Sequence, residues 1–195
     1  GSRINAVPFV NKAIEACRNK SKSVLVFPKG RYDFWPQYVA EKQYYESNTD
    51  VIPLRKCPIL LEGINNCTID FDGSELVFHD KLQPITIDHC ENIQIKNCSI
   101  DWDIPLTAEG QVMAVADNYI DISIDVLQFP YVIENGKLFF VGEGWKSKLW
   151  EWGVMEFEKD SKLIAAKTGD ESCLGDYSKY VAIEIKYGLV RLSNQ

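Results

Sequence analysis

The sequence predicts an all-β protein that begins as a right-handed parallel β-helix and continues as an antiparallel β-barrel or sandwich. The first observation is a repeat offset by 26 residues, which aligns Ile59 with Ile85 and Ile69 with Ile95. Stacked coils of this size bury an apolar face against one another, so such a repeat is typical of a β-solenoid. The second observation is one amphipathic segment before the repeat. The third is a series of short alternating runs after it, separated by turn signals.

The segment 5–18 is predicted to form an N-terminal capping helix. Its apolar residues recur with helical spacing: Val10, Ala13, Ile14 and Cys17. Asn5 is the expected N-cap, and Pro8 is tolerated only in the first turn of a helix. A single amphipathic helix in front of a solenoid covers the end of the stack, where strand edges and apolar side chains would otherwise meet water.

The first coil is predicted from residues 23–34. Val24–Phe27 is a short, apolar strand that ends at Pro28. Arg31–Phe34 is a second strand after the turn at Lys29-Gly30. This pair of strands precedes the two coils of the repeat.

Residues 35–56 do not continue the coil pattern. They contain several aromatic side chains and a turn signal at Ser47–Asp50. We expect a long excursion from the solenoid, partly helical from Val39 to Tyr45.

The pattern changes at Ile104-Pro105, which we take as the boundary between a first unit, 1–104, and a second unit, 105–195. From Gly110 the apolar residues alternate with polar ones, as in antiparallel strands that have one buried face and one solvent-exposed face. Four turn signals separate the runs: Asp117-Asn118, Asn135-Gly136, Asp160-Ser161 and the turn at Gly188. Roughly seven such strands predict a small β-barrel or sandwich.

Charge and composition exclude several classes of function. The 195 residues carry a net charge of −7 without a basic stripe, so we expect no nucleic-acid partner. No run approaches the ~18 apolar residues of a membrane span, so we expect none. The N-terminus lacks the apolar region of a signal peptide, and Gly1-Ser2 is typical of a cleavage scar.

The cysteines and histidines predict neither a metal site nor a cofactor. The six cysteines form no CxxC pair, and the chain has two histidines. Cys67 and Cys90 take repeat positions that hold isoleucine in the other coil. We therefore expect free thiols that pack as small apolar side chains. An even number of cysteines also permits disulfides in an exported protein, but no spacing specifies a pairing.

The candidate substrate-binding residues are Asp101, Trp102 and Asp103, at the end of the second repeat. In a strand, the two carboxylates point to the same side, roughly 7 Å apart by the strand rise. Inverting glycosidases separate their two carboxyl groups by about 6.5–9.5 Å. Trp102 suits a sugar-stacking platform, since ligand sites use aromatic faces. The alternative to substrate binding is a structural role, in which the two aspartates are solvated and the tryptophan fills the core between the two units.

Three further groups have both a functional and a structural interpretation. Asp70 and Asp72 have the same spacing as the first pair, but Asp72-Gly73 is typical of a turn. His79 and His89 are isolated, and we expect them on the coil exterior as surface or hydrogen-bonding residues. The third group either faces a ligand or packs the second unit against the solenoid: Trp145, Trp150 and Trp152.

Most of the chain resembles one family, glycoside hydrolase family 110, which comprises bacterial exo-acting α-1,3-galactosidases. Its N-terminal region is similar to VNKAIEAC, LVFPKGRYDFWP, LLEGINNCTIDFDGSELVFH and ITIDHCENIQIKNCSIDWDIP. The β-barrel module that the family inserts into its β-helix is similar to the stretch from FPYVIENGKLFFVGEGW through YGLVRLS.

The resemblance implies a periplasmic or extracellular bacterial protein that removes terminal α-1,3-linked galactose from glycans, without a metal and with inversion. The implied partner is a galactose-containing glycan. Such hydrolysis needs one protonated carboxyl group as the acid and one carboxylate that activates water. The family's enzymes are far longer, and no position here matches their catalytic acids, so we assign no catalytic residue in this chain. We expect the chain alone to be an inactive fragment that self-associates through exposed coil edges.

Two alternative functions remain open from the sequence. A polysaccharide lyase with a β-helix fold would give unsaturated products and would usually require calcium. A non-catalytic glycan-binding module would use its tryptophans as a platform, and would lose binding when they are replaced with alanine.

Overall fold

The computed structural model describes four ranges of the chain: 4–44, 54–149, 154–166 and 179–194. The chain divides into two compact units, Gly1–Ile104 and Pro105–Gln195. Apart from one helix near the N-terminus, the regular elements in the described ranges are strands, so the protein is all-β. None of the helical structure in these ranges is long and apolar enough to cross a membrane.

The first unit combines a helix with short strands that pair mainly in parallel. Its described elements are α1 (Val7–Glu15), β1 (Ser23–Val26), β2 (Arg31–Phe34), β3 (Ala40–Gln43), β4 (Leu54–Cys57), β5 (Ile59–Glu62), β6 (Asn65–Phe78), β7 (Ile85–Asp88) and β8 (Glu91–Trp102). Strands β1 and β2 pair in parallel with successive parts of β6, and β6 pairs in parallel with β8. Strands β5 and β7 form another parallel pair.

The 26-residue offset of the sequence repeat is the register of β5 with β7 and of the first part of β6 with β8. Ile59 lies opposite Ile85, and Ile69 lies opposite Ile95, as the sequence alignment predicts. Ile59 and Ile69 are fully buried, whereas Ile85 and Ile95 on the paired strands β7 and β8 are half-buried. A slip of one residue would turn each inward side chain to the solvent face, so the alternating burial fixes the register.

Two asparagines at equivalent positions of the repeat, one on β6 and one on β8, are linked by a side-chain hydrogen bond. Asn66 and Asn92 both have left-handed backbone, with φ of 52° and 54°. The Nδ2 of Asn92 donates a hydrogen bond to Oδ1 of Asn66 over 2.9 Å. Asparagine adopts positive φ more readily than most residues, which explains its use at these two positions.

Helix α1 buries its apolar face in the core of the first unit: Val7, Val10 and Ile14. The helix is shorter than the predicted 5–18, and its N-cap is Ala6, so the prediction of Asn5 as the N-cap is wrong. The Oδ1 of Asn5 instead accepts hydrogen bonds from the backbone N–H groups of Val7 and Trp35, at 3.1 and 3.3 Å. Asn5 therefore ties the start of the helix to the end of β2.

The excursion after β2 contains a strand pair where we predicted a helix. Ala40–Gln43 forms β3, which pairs antiparallel with β4. Lys42 Nζ also lies 2.7 Å from the Glu62 carboxylate of β5. The helical prediction is wrong because strand pairing across the excursion outweighs a weak local preference for helix. Tyr45, the last residue of that prediction, lies outside the described ranges.

Free thiols lie buried or half-buried in the first unit: Cys17, Cys57, Cys67, Cys90 and Cys98. Burial raises the pKa of the Cys67 and Cys98 thiols. Both therefore stay protonated at neutral pH and pack as apolar side chains. Cys173 lies outside the described ranges.

The second unit consists of antiparallel sheets. Its described strands are β9 (Gln111–Ala116), β10 (Tyr119–Ser123), β11 (Tyr131–Glu134), β12 (Lys137–Gly142), β13 (Trp145–Lys148), β14 (Tyr180–Lys186) and β15 (Leu189–Asn194). They form a four-stranded sheet of order β14-β15-β10-β9 and a three-stranded sheet of order β11-β12-β13. Both sheets contribute to one core: Ile124, Phe129, Leu138, Tyr180, Ala182, Val190 and Leu192. The described strands thus form two open sheets, rather than the closed barrel that was one of the two predicted forms.

The predicted turn signals of the second unit mostly connect paired strands. Asp117-Asn118, Asn135-Gly136 and the turn at Gly188 each join two antiparallel neighbours. Asn135 and Gly136 have φ of 51° and 70°, as a type I′ turn requires. Of the strands predicted around Asp160-Ser161, the described residues 154–166 show an isolated bridge between Phe157 and Ile164.

Candidate functional site

Three parallel strands of the first unit end at one edge. Strand β2 ends at Phe34, β6 at Phe78 and β8 at Trp102, and these ends are register partners. The pairing continues for one more residue, since the N–H of His79 donates to the carbonyl of Phe34 (3.0 Å) and that of Asp103 donates to the carbonyl of Phe78 (3.2 Å). The next residues therefore follow one another across the coils, and we call them the strand-end row: Trp35, His79 and Asp103.

The aromatic residues at the strand ends fix this edge to the core. Phe34 and Phe78 are fully buried and stack with their ring centroids 4.9 Å apart. Trp102 packs on Phe78 at 5.8 Å, and its Nε1 donates to the carbonyl of Asp80 over 3.2 Å. The backbone that carries the strand-end row is therefore held by packing on its inner side.

Asp33, on β2, is the buried centre of a polar cluster beside the row. Only 6% of its side chain is exposed. Its Oδ1 accepts hydrogen bonds from Nε and Nη2 of Arg31, at 2.9 and 2.7 Å, and lies 3.1 Å from Nε2 of His79. His79 is 5% exposed, and its ring stacks on Trp35 with centroids 4.1 Å apart. A buried carboxylate needs such partners, because an unpaired charge away from water is strongly destabilising.

The hydrogen bonds of the cluster keep Asp33 ionised. Burial by itself raises the pKa of a carboxyl group, but the hydrogen bonds from Arg31 and His79 outweigh burial and hold the pKa of Asp33 below its ordinary value. The hydrogen bonds of Arg31 to Asp33 and to Asp103 raise the pKa of the guanidinium further above its ordinary range. Arg31 and Asp33 are therefore a permanent ion pair at neutral pH.

Arg31 connects the buried carboxylate to the exposed end of the row. The same Nη2 that binds Asp33 also donates to Oδ1 of Asp103 over 2.7 Å. The side chains of Arg31 and Asp103 are 40% and 44% exposed. The cluster thus presents a guanidinium and a carboxylate side by side to water, with a second carboxylate and an imidazole buried behind them.

The structure brings Asp103, one of the three predicted site residues, into this cluster. Asp101 is exposed, and its Oδ1 accepts a hydrogen bond from the N–H of Trp102 over 2.8 Å. Trp102 is half-buried and packs against the core of the first unit. One side of its indole therefore packs against Phe78 of the first unit.

The other candidates of the first unit have local partners. Asp70 pairs with Lys96 at 3.1 Å, and its Oδ1 accepts from the N–H of Asp72 at the bend of β6. His89 is exposed at a turn with positive φ, and its Nδ1 lies 2.6 Å from the carboxylate of Asp88.

Trp145, on β13, is half-buried and covers a glycine of its own hairpin. A Cβ placed on Gly142 would come within 2.1 Å of the indole, so the ring lies against the backbone there. Packing explains the position of Trp145. Trp150 and Trp152, the other tryptophans of this candidate group, lie outside the described ranges.

Three members of the cluster were not among the candidates predicted from the sequence: Arg31, Asp33 and Trp35. The prediction that His79 lies on the coil exterior is wrong because the side chain is buried, although it is a hydrogen-bonding residue, as also predicted. His79 and Asp33 are 46 residues apart, so their contact depends on the pairing of β6 with β2 and not on local spacing. One signal was available, since every residue of the strand-end row follows an aromatic residue that ends a strand.

The second unit matches a known domain. Residues 108–195 match the family model of GLAA-B β-barrel domain I. The two antiparallel sheets described above lie within this matched range, from β9 onward.

The whole chain is similar to part of several curated proteins. Alpha-1,3-galactosidase B of Bacteroides thetaiotaomicron is 54% identical over 193 residues, which is 99% of this chain and 31% of that protein. Alpha-1,3-galactosidase A of Shewanella woodyi is 34% identical over 193 residues, 98% of this chain and 31% of that protein. Alpha-1,3-galactosidase B of Akkermansia muciniphila is 29% identical over 170 residues, 87% of this chain and 21% of that protein. These matches support the α-1,3-galactosidases as the family of this chain, which spans less than a third of the length of these relatives.

Proposed function

We propose that this chain is part of an exo-acting α-1,3-galactosidase of glycoside hydrolase family 110, which hydrolyses terminal α-1,3-linked galactose from glycans with inversion. The observation that carries the proposal is the 54% identity over 99% of the chain with a protein named alpha-1,3-galactosidase B. The match of residues 108–195 to GLAA-B β-barrel domain I supports it independently.

In this proposal, the first unit supplies the opening coils of a right-handed parallel β-helix, and the second unit is the β-barrel module inserted into it. The parallel pairing of β5 with β7 and of β6 with β8, which keeps the 26-residue offset as far as Asp70 and Lys96, supports the helix. Ile85 and Ile95 on the last coil are half-buried, and Ile100 is 44% exposed. Stacking of a further coil would remove this apolar surface from water, as in other solenoids.

We assign glycan binding to the end of β8, at Asp101, Trp102 and Asp103. Inverting hydrolysis needs a carboxyl group that donates a proton and a carboxylate that activates water. Asp101 is exposed and Asp103 is bonded to a guanidinium, and these surroundings suit the acceptance of hydrogen bonds from sugar hydroxyls. We therefore propose that these residues bind substrate, and that the catalytic carboxyl groups lie in a part of the polypeptide outside this chain.

Galactose release by the complete polypeptide tests this function. We expect hydrolysis of α-1,3-linked galactobiose, with the β-anomer of galactose appearing first in proton NMR, and much slower hydrolysis of the α-1,4- and α-1,6-linked isomers. The 195-residue chain alone serves as the control and is expected to release no galactose. A complete polypeptide that leaves the α-1,3-linked substrate intact would contradict the proposal.

A further inference from the structure

We propose that Arg31 and Asp103 form a clamp for two neighbouring hydroxyl groups of a pyranose ring, and that Asp33 and His79 hold this clamp in place before the sugar arrives. The inference deepens the proposed function, and it rests on that function for the choice of a galactoside as the ligand. It adds Arg31, from the first coil, to the residues that contact substrate.

The clamp retains one donor nitrogen and one acceptor oxygen for a ligand. Arg31 uses Nε and Nη2 for its carboxylate partners, and Asp103 uses Oδ1 for Arg31. Within the described ranges, Nη1 of Arg31 and Oδ2 of Asp103 make no hydrogen bond, although the two side chains are 40% and 44% exposed. A donor beside an acceptor matches a vicinal diol, in which one oxygen accepts a hydrogen bond while the neighbouring hydroxyl donates one.

Asp33 and His79 act as positioning residues. Two nitrogens of the Arg31 guanidinium bind the same oxygen of Asp33, which fixes the guanidinium plane. The side chains of Asp33 and His79 are 6% and 5% exposed, so a ligand in solution does not reach them. They stabilise the clamp through the hydrogen bonds of Asp33 to Arg31 and to His79. A side chain that is already ordered loses less conformational freedom on binding, so this support favours affinity.

The surroundings of the clamp favour a neutral sugar over a charged ligand. The carboxylates of Asp33 and Asp103 both pair with Arg31. They would repel an anionic ligand, and a cationic ligand would have to compete with Arg31 for the two carboxylates. Neutral hydroxyl groups meet neither obstacle. The half-buried indole of Trp35, stacked on His79, lies at the same edge and offers an apolar face next to the polar pair.

Titration of the 195-residue chain with methyl α-galactoside tests the clamp, because all of its residues lie in this chain. We expect a millimolar Kd for the wild type by saturation-transfer NMR. Arg31→Met and Asp103→Asn should each raise the Kd by at least about tenfold, the effect of losing one charge-assisted hydrogen bond. The matched control is Lys96→Met, which removes the cation of the Lys96–Asp70 pair between β8 and β6 and should leave the Kd unchanged.

Two further variants separate binding from folding. Arg31→Lys keeps the positive charge but lacks the planar guanidinium group. We expect this variant to bind the galactoside as weakly as Arg31→Met does, and to melt at a temperature close to that of the wild type. Asp33→Asn should weaken binding and also broaden the Arg31 Nε–H signal in ¹⁵N NMR, since that proton loses its carboxylate partner. A purely structural role for Asp33 would leave a sharp Arg31 signal in every variant that folds.

The clamp is overturned if the wild type shows no binding up to tens of millimolar galactoside, or if Arg31→Met binds as well as the wild type. An equal loss of affinity in Lys96→Met would also overturn it, because the loss would then follow from removing any positive charge and not from removing Arg31. None of these outcomes bears on galactose release by the complete polypeptide, which tests the proposed function separately.

Discussion

Replacing Phe78 with alanine is expected to lower the free energy of unfolding of the first unit by about 3–5 kcal/mol, the usual cost of removing a buried phenylalanine. Phe78 is fully buried, stacks on Phe34 at 4.9 Å and contacts Trp102. The substitution therefore removes one layer from a column of aromatic rings that passes through three paired strands. Since a domain is typically stable by about 5–15 kcal/mol, the loss is a large fraction of the total.

Urea unfolding followed by tryptophan fluorescence measures this effect, because Trp102 lies on Phe78. Phe78→Leu keeps most of the volume and is expected to cost less than the alanine variant. Val24→Ala is the surface control, since Val24 is 63% exposed, and it should change stability by less than about 0.5 kcal/mol. A loss below about 1 kcal/mol in Phe78→Ala would show that this column is not the core that we describe.

Replacing Asp33 with alanine is expected to lower the free energy of unfolding by about 3 kcal/mol, because it leaves Arg31 and His79 without their shared partner. The value lies at the low end for a buried ion pair, since Arg31 is 40% exposed and water can reach it. Asp33→Asn keeps the shape and one acceptor oxygen, and should cost less. Equal stability of Asp33→Ala and the wild type would contradict the role of the cluster.

The pH dependence of stability gives a second readout for Asp33. The folded pKa of Asp33 lies below the ordinary value of 3.8, so its ionised form stabilises the folded state. This contribution is complete well above the unfolded pKa and is lost as the pH falls through the folded pKa. We therefore expect the wild type to lose stability on acidification below about pH 4 more steeply than Asp33→Asn does.

Much of the first unit could be predicted because its strands repeat. Ile59 and Ile85 occupy equivalent positions in the sequence, and parallel strands place equivalent positions side by side. The Asn135-Gly136 turn was equally informative, because two adjacent positive φ angles suit very few residues. In both cases, a local pattern is sufficient to specify the structure.

The polar cluster could not be derived in the same way. Asp33 and His79 meet only because β2 pairs with β6, and the first coil does not share the 26-residue offset that aligns the later ones. Ala40–Gln43 shows the same limitation, since it is a strand only through its pairing with β4. Contacts of long sequence separation decide these features, and local spacing says little about them.

The parallel register of β5 with β7 and of β6 with β8 is the central physical claim, because it aligns the repeated strands of the first unit. Nuclear Overhauser effects between isoleucine methyl groups, in a sample labelled only at those methyls, measure it most directly. We predict cross-peaks between Ile59 and Ile85 and between Ile69 and Ile95, which are opposite one another. A slip of one residue would turn Ile95 to the solvent face, so the absence of both cross-peaks in the folded protein would contradict the account.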